Sequence, residues 1–232
     1  MSRPATASYV LIPGAGGMAW YWHRVARLLA QLQREAVAVD LPGDDASAGL
    51  HEYAELVLRE IGKRTNVILV AQSLGGFTAA LVCERVSVRM LVFVNAMIPL
   101  PGETAGDWWQ NTGATRARIA AAERAGYGTE FDLQTYFLHD VPQEVLKTGP
   151  ARQREEANIV FTQPCEFHHW PEIPIRVIAS SEDRFFPLQF QRRLAHARLN
   201  TEVQVVPGGH LVALSNPDGL VAQLLRFERD HV

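Results

Sequence analysis

Val67-Ile68-Leu69-Val70-Ala71-Gln72-Ser73-Leu74-Gly75-Gly76 joins a run of aliphatic residues to a serine and two glycines, and helix-compatible residues follow. A strand that turns sharply into a helix leaves room only for small residues beside the turning position. Such a turn lifts the serine hydroxyl above the sheet edge and aims the next backbone N–H at the same point. The usual spelling of this elbow is G-x-S-x-G; here Ala71 stands at the first glycine and Gly75 keeps the second. Alanine adds one methyl group and fits if its φ stays negative. The competing reading is a serine that caps an ordinary helix after a buried strand.

Outward from this stretch, short apolar runs alternate with helical periodicity, the pattern of βα units and a mostly parallel sheet. Strands are expected at 9–12, 36–39, 66–71, 89–94, 175–179 and 202–206, and helices at 20–33, 51–63, 74–85, 188–197 and 217–228. The expected architecture is α/β, with about six strands and helices on both faces. The alternation stops after Asn95. From 97 to 170 there are proline-bounded pieces and helix formers such as 115–125 but no comparable strand. Core residues 1–96 and 171–232 are therefore expected to flank an inserted cap, 97–170, folded over the elbow.

Composition narrows the function classes. The 232 residues carry 22 basic and 25 acidic side chains for a formal charge of −3, so no basic footprint for nucleic acid or anionic membrane is present. The opening residues 1–7 lack the apolar core of a signal peptide, and no uncharged run is long enough to span a bilayer. A cytoplasmic protein with a small-molecule partner is expected. Cys83 and Cys165 show neither metal-ligand spacing nor a disulfide framework. His168 and His169 are adjacent and no carboxylate completes a recognised ligand pattern, so no metal site is expected. Arg116, Arg118, Glu123 and Arg124 read as a solvated helix face.

A serine hydroxyl is a weak nucleophile at neutral pH; it needs a base within reach and an acid that fixes the base's tautomer. In Val205-Val206-Pro207-Gly208-Gly209-His210 a strand ends in a turn that presents His210, the candidate base. Another strand runs into Ser180-Ser181-Glu182-Asp183, where Asp183 is the candidate acid and Glu182 its nearest competitor. Acyl transfer also needs N–H donors for the developing oxyanion. The glycine-rich turn Pro13-Gly14-Ala15-Gly16-Gly17-Met18 after the first strand supplies one, and the N–H groups of Ala15 and Leu74 are the candidates. A phosphate-cradling loop is the alternative there, but the turn matches neither G-x-x-x-x-G-K-[ST] nor G-x-G-x-x-G.

Pro13-Gly14-Ala15-Gly16-Gly17-Met18-Ala19-Trp20, Gln72-Ser73-Leu74-Gly75-Gly76, Asp183 and Gly208-Gly209-His210 together resemble the α/β-hydrolases, in particular their small plant-esterase and hydroxynitrile-lyase-like branch. The order Ser73, Asp183, His210 is that family's order. Pro13 stands where the family often has histidine, and Ala71 where it has glycine. The resemblance implies the α/β-hydrolase fold and a cofactor-independent serine esterase acting on a small, mostly apolar carboxylic ester. Lactone or C–C bond hydrolysis on the same triad and non-catalytic ligand binding remain as alternatives. Lyases of the branch usually carry lysine after the catalytic histidine and threonine in the first loop, places held here by Leu211 and Gly14. Substrate contacts are expected from Met18, Trp20, Trp108, Trp109, Tyr136, Phe137 and Phe161. Assembly as a homodimer is left open.

Overall fold

In a computed structural model that describes residues 6–150 and 152–230, six strands form one sheet in the order β2-β1-β3-β4-β5-β6, every neighbouring pair parallel. They are β1 Ser8–Ile12, β2 Glu35–Ala38, β3 Val67–Gln72, β4 Met90–Val94, β5 Ile175–Ser180 and β6 Val203–Val206. The inner strands β1, β3 and β4 are buried along their whole length, which explains their unbroken apolar runs: both faces are covered, so neither selects polar residues. Successive side chains still divide by face. Val10, Ile12, Leu69, Ala71, Leu91 and Phe93 join one core, and Tyr9, Leu11, Ile68, Val70, Val92 and Val94 the other.

Helices α1 His23–Gln31, α2 Leu50–Ile61 and α3 Gly75–Arg85 alternate with the first strands. Val25 and Leu29 of α1 lie in the core that holds Tyr9, while α2 and α3 supply Tyr53, Val57 and Phe77 to the opposite one. A short 3-10 turn, Ala19–Trp22, precedes α1, so the helix expected from residue 20 begins three residues later. Among its described residues the chain between β4 and β5 adds no strand to the sheet. It forms α4 Ala105–Thr112, α5 Ala114–Ala125, α6 Leu133–Tyr136, α7 Gln143–Leu146 and α8 Asn158–Thr162. The fold closes with α9 Leu188–Leu199, α10 Val212–Ser215 and α11 Pro217–Asp230.

Arg118 corrects one expectation. It is buried rather than solvated, because its guanidinium lies 4.8 Å from the Tyr136 ring centroid and donates to the Thr129 carbonyl at 2.7 Å. Glu103 and Arg198 form a second buried charged contact, tying the start of the β4–β5 segment to α9. Cys83 and Cys165 are free and buried, and burial pushes the Cys83 thiol up to about 12. No helix among the described residues is long and apolar enough to cross a membrane. Residues 1–5 of the opening stretch lie outside the described residues.

Candidate active site

The strand order reverses between β1 and β3, and in open parallel sheets ligand sites form beyond the carboxyl ends of strands at such a point. Five loops leave that edge: 13–18 after β1, Ser73 after β3, Asn95 after β4, Asp183 after β5 and His210 after β6.

Ser73 adopts φ 52°, the left-handed region that a residue with a Cβ enters only under constraint from its surroundings. The constraint is visible. The Ser73 carbonyl accepts from the N–H groups of Gly76 and Met97, at 3.2 and 2.9 Å, and the Ser73 N–H donates to the Val94 carbonyl at 3.3 Å. Ala71 is the penultimate residue of β3, outside the positive-φ positions, so its methyl group is accommodated. Glycine is needed on both sides of the turn. A Cβ on Gly14 would come within 2.8 Å of the Ser73 Cβ, and one on Gly76 within 1.9 Å of the Met97 carbonyl oxygen.

His210 Nε2 lies 3.1 Å from Ser73 Oγ, and His210 Nδ1 lies 2.9 Å from Asp183 Oδ2. A carboxylate can only accept, so Nδ1 carries the proton and Nε2 is left to receive one from the hydroxyl. The other Asp183 oxygen accepts from the N–H groups of Phe185 and Phe186, at 2.8 and 2.9 Å, and Gln191 Nε2 donates to Oδ2 at 3.2 Å. Glu182, the competitor for the acid's role, is exposed, and it meets the turn before His210 through its backbone N–H, which donates to the Gly208 carbonyl at 2.9 Å. All three members of the chain Ser73, His210, Asp183 are buried.

Asn95 is the joint that sequence reading missed. Fully buried at φ 45°, it donates through Nδ2 to Ser180 Oγ and to the carbonyls of Gly209 and His210, at 2.8, 3.1 and 3.0 Å. Its Oδ1 accepts from the Ser180 N–H at 2.7 Å, and Gln72 Nε2 supports the His210 carbonyl at 3.3 Å. The available signal was a lone polar residue directly after a wholly apolar strand. Asparagine also enters left-handed backbone more readily than most residues.

The loop after β1 lies against the elbow. Among the described residues no acceptor engages the N–H of Ala15 or of Leu74. The neighbouring Gly16 N–H donates at 2.6 Å to Glu156, which also accepts from Tyr53 Oη at 2.6 Å. Burial raises the Glu156 carboxyl above the usual carboxylate range against the lowering effect of those two hydrogen bonds.

A cavity of about 210 Å³ opens over Ser73. Of the expected substrate contacts, Trp109, Phe137 and Phe161 line it, as do Ala15 and Leu74. Met18, Trp20, Trp108 and Tyr136 do not, for reasons of packing. Trp108 is fully buried with Nε1 donating to the Ile98 carbonyl at 3.1 Å, and Tyr136 is fully buried with Oη donating to the Gly128 carbonyl at 2.6 Å. Trp20 stacks on His23, and Met18 is buried beside the turn. Tyr21, Met97, Phe131, Phe185 and Leu211 complete the wall instead. Burial raises the Tyr21 phenol, so it stays neutral. Among the described residues of the wall, His210 and Tyr21 are thus the only titratable side chains, and the rest is apolar apart from the small polar edge formed by Gln72 and Ser73. His168, away from this site, pairs through Nδ1 with Glu84 at 2.7 Å.

The model of the alpha/beta hydrolase family matches residues 9–223. Norfluorocurarine synthase 1 of Strychnos is 32% identical over 249 residues, covering 91% of each chain. Methyl jasmonate esterase 1 of Vitis vinifera is 30% identical over 246 residues, covering 93% of this chain and 94% of its own. Among solved structures, polyneuridine aldehyde esterase superposes with a TM-score of 0.78 at 19% identity, over 97% of this chain and all of that one, a likeness of fold.

Proposed function

The chain belongs to the alpha/beta hydrolase family, and from that premise we propose that it is a carboxylic ester hydrolase in which Ser73 is the nucleophile, His210 the general base and Asp183 the orienting acid. The observation that carries this reading is the connected line from Asp183 through both imidazole nitrogens to a hydroxyl held at positive φ. The similarity to methyl jasmonate esterase 1 supports ester hydrolysis as the reaction.

Ser73 Oγ attacks the ester carbonyl as His210 Nε2 takes its proton, and the imidazolium is stabilised by Asp183. Negative charge gathers on the former carbonyl oxygen, where the N–H groups of Ala15 and Leu74 receive it without reorganisation. Nε2 returns the proton to the departing alcohol. Water then attacks the acyl-serine under the same base, releasing the carboxylic acid and restoring the Ser73 hydroxyl.

The substrate we assign is a small, mostly apolar, uncharged ester. Apart from His210, the described residues of the wall offer no charged side chain to a buried ion, and leaving a charge unpaired costs more than the hydrophobic contacts return. Leu211 lines the cavity beside His210, so the adjoining residue brings no ammonium group to the base, an arrangement that favours ester hydrolysis over lyase chemistry. In this reading residues 97–170 act as the cap, contributing Trp109, Phe131, Phe137 and Phe161 to the wall. The test is a panel of methyl and aryl esters in matched neutral and carboxylate-bearing pairs. Neutral members should be preferred in kcat/KM by at least about a hundredfold, equivalent to roughly 2.7 kcal/mol. Equal turnover of both members of each pair would contradict the substrate assignment.

A further inference from the structure

Gly209 sits between the β6 turn and the catalytic histidine, and its N–H donates to Asp140 Oδ2 at 2.5 Å. Asp140 belongs to the β4–β5 segment, far from His210 in sequence, and follows α6 by a few residues. The same short stretch presents Phe137, whose ring stacks on the His210 imidazole with centroids 4.7 Å apart and planes 19° apart. One piece of chain therefore holds both the face of the base and the backbone just before it. The approach is close. A Cβ on Gly209 would come within 2.6 Å of Asp140 Oδ1 and 2.8 Å of His139 Nε2. Among the described residues, Asp140 Oδ1, His139 Nε2 and Ser215 Oγ are buried without a hydrogen-bond partner, and the first two stand 4.0 Å apart. Among those residues, then, the Asp140 carboxylate is hydrogen-bonded through Oδ2 and not through Oδ1.

Evolution of a core favours satisfied polar atoms, and a buried carboxylate left half-paired needs a compensating role. The Gly209 carbonyl is already held by Asn95 Nδ2 at 3.1 Å, and the Gly208 carbonyl accepts from the Glu182 N–H at 2.9 Å. Asn216 Nδ2 holds the Pro207 carbonyl at 2.9 Å, and the Gly209 N–H ties the turn to the β4–β5 segment; glycine offers the turn no side-chain anchor of its own. We propose that Asp140 is a positioning residue for the catalytic base: its charge-assisted hydrogen bond to Gly209 sets the turn so that Nε2 meets Ser73 and Nδ1 meets Asp183 together. It touches no reacting atom. This proposal rests on the serine-hydrolase reading for its rate effects, although the hydrogen bond itself can be observed whatever reaction the site performs.

The test compares Asp140→Ala and Asp140→Asn with the unmodified protein in ester turnover, in the rate of labelling by a fluorophosphonate, in thermal midpoint and in the Gly209 amide proton resonance. Asp140→Ala should lower kcat and the labelling rate in parallel, by about tenfold to a hundredfold, with KM changed less than about threefold. Asp140→Asn keeps an acceptor and the side chain's shape. It should recover most of the rate and move the Gly209 amide proton upfield, because a neutral acceptor replaces a charged one. A folded Asp140→Ala with unchanged kcat and labelling overturns the proposal, and so does a rise in KM alone, which would make Asp140 a cap-packing residue. If Asp140→Ala does not fold, Asp140→Asn decides: an unmoved Gly209 resonance overturns the proposal. Absence of ester turnover in the unmodified protein would count against the ester reading, while the labelling rates and the Gly209 resonance would still test Asp140.

Discussion

Replacing Asn95 by alanine should cost more than any surface change, because one side chain serves three loops. The Ser180 N–H loses an acceptor at 2.7 Å and the Gly209 carbonyl a donor at 3.1 Å, both in the buried interior. A buried group left unsatisfied costs about 1–3 kcal/mol. The His210 carbonyl retains Gln72 Nε2 at 3.3 Å, which limits the loss there. Alanine must also adopt the φ of 45° that asparagine holds here, adding about 1 kcal/mol. The total is about 3–7 kcal/mol, which for a chain of this size corresponds to a fall of at least about 6 °C in Tm. Thermal unfolding followed by circular dichroism measures it, with kcat determined well below the transition. Activity of the folded fraction should fall as well, since the turn that presents His210 loses a tether. A Tm within about 2 °C of the unmodified protein, together with unchanged kcat, would refute the assignment of Asn95 as the joint of the site.

Asp183→Asn should lower kcat by up to about 10⁴-fold with little change in Tm, because the shape survives while the tautomer of His210 is no longer enforced; if Glu182→Gln causes the larger loss in parallel kinetics, the acid must be reassigned. Glu103 gives a pH prediction. Burial acts to raise its carboxyl, but hydrogen bonds from Arg198, Asn111 and the Leu100 N–H outweigh burial and hold it below the ordinary value of 4.5. Its contribution to stability is therefore present above that value and is lost as pH falls through the lower folded-state value. Urea unfolding across the acid range should show a shallower loss of stability in Glu103→Gln than in the unmodified protein, and equal slopes would remove Glu103 from the account of acid sensitivity. Phe161→Ala should change the kcat/KM ratio between short-chain and aryl esters by roughly tenfold, about 1.4 kcal/mol, and an unchanged ratio in the folded variant would exclude its ring from substrate selection.

The inner strands β1, β3 and β4 were legible because residues buried on both faces give runs such as Val67 to Ala71. The helices of the β4–β5 segment were legible only where long. α5 is marked by its helix formers, whereas α6, α7 and α8 span four or five residues, less than two turns, and carry no period. The wall of the cavity exposes a different limit. Trp108 and Trp109 are neighbours on α4, and successive helical residues point about 100° apart, so one enters the core and the other reaches the cavity. Tyr136 and Phe137 divide in the same way. Composition marks such pairs as aromatic, but only tertiary packing selects the member that faces the substrate. Phe185 and Leu211 were within reach, since they lie beside Asp183 and His210 and are carried to the site by the same loops.

Whether Ser73 is an activated nucleophile is read most directly by mass spectrometry of the intact and digested protein after brief exposure to a fluorophosphonate. A single adduct is expected on the peptide containing Ser73, formed at a rate that collapses in His210→Ala, and no adduct in Ser73→Ala. Labelling of Ser73→Ala at the rate of the unmodified protein, or an adduct confined to another residue, would contradict it.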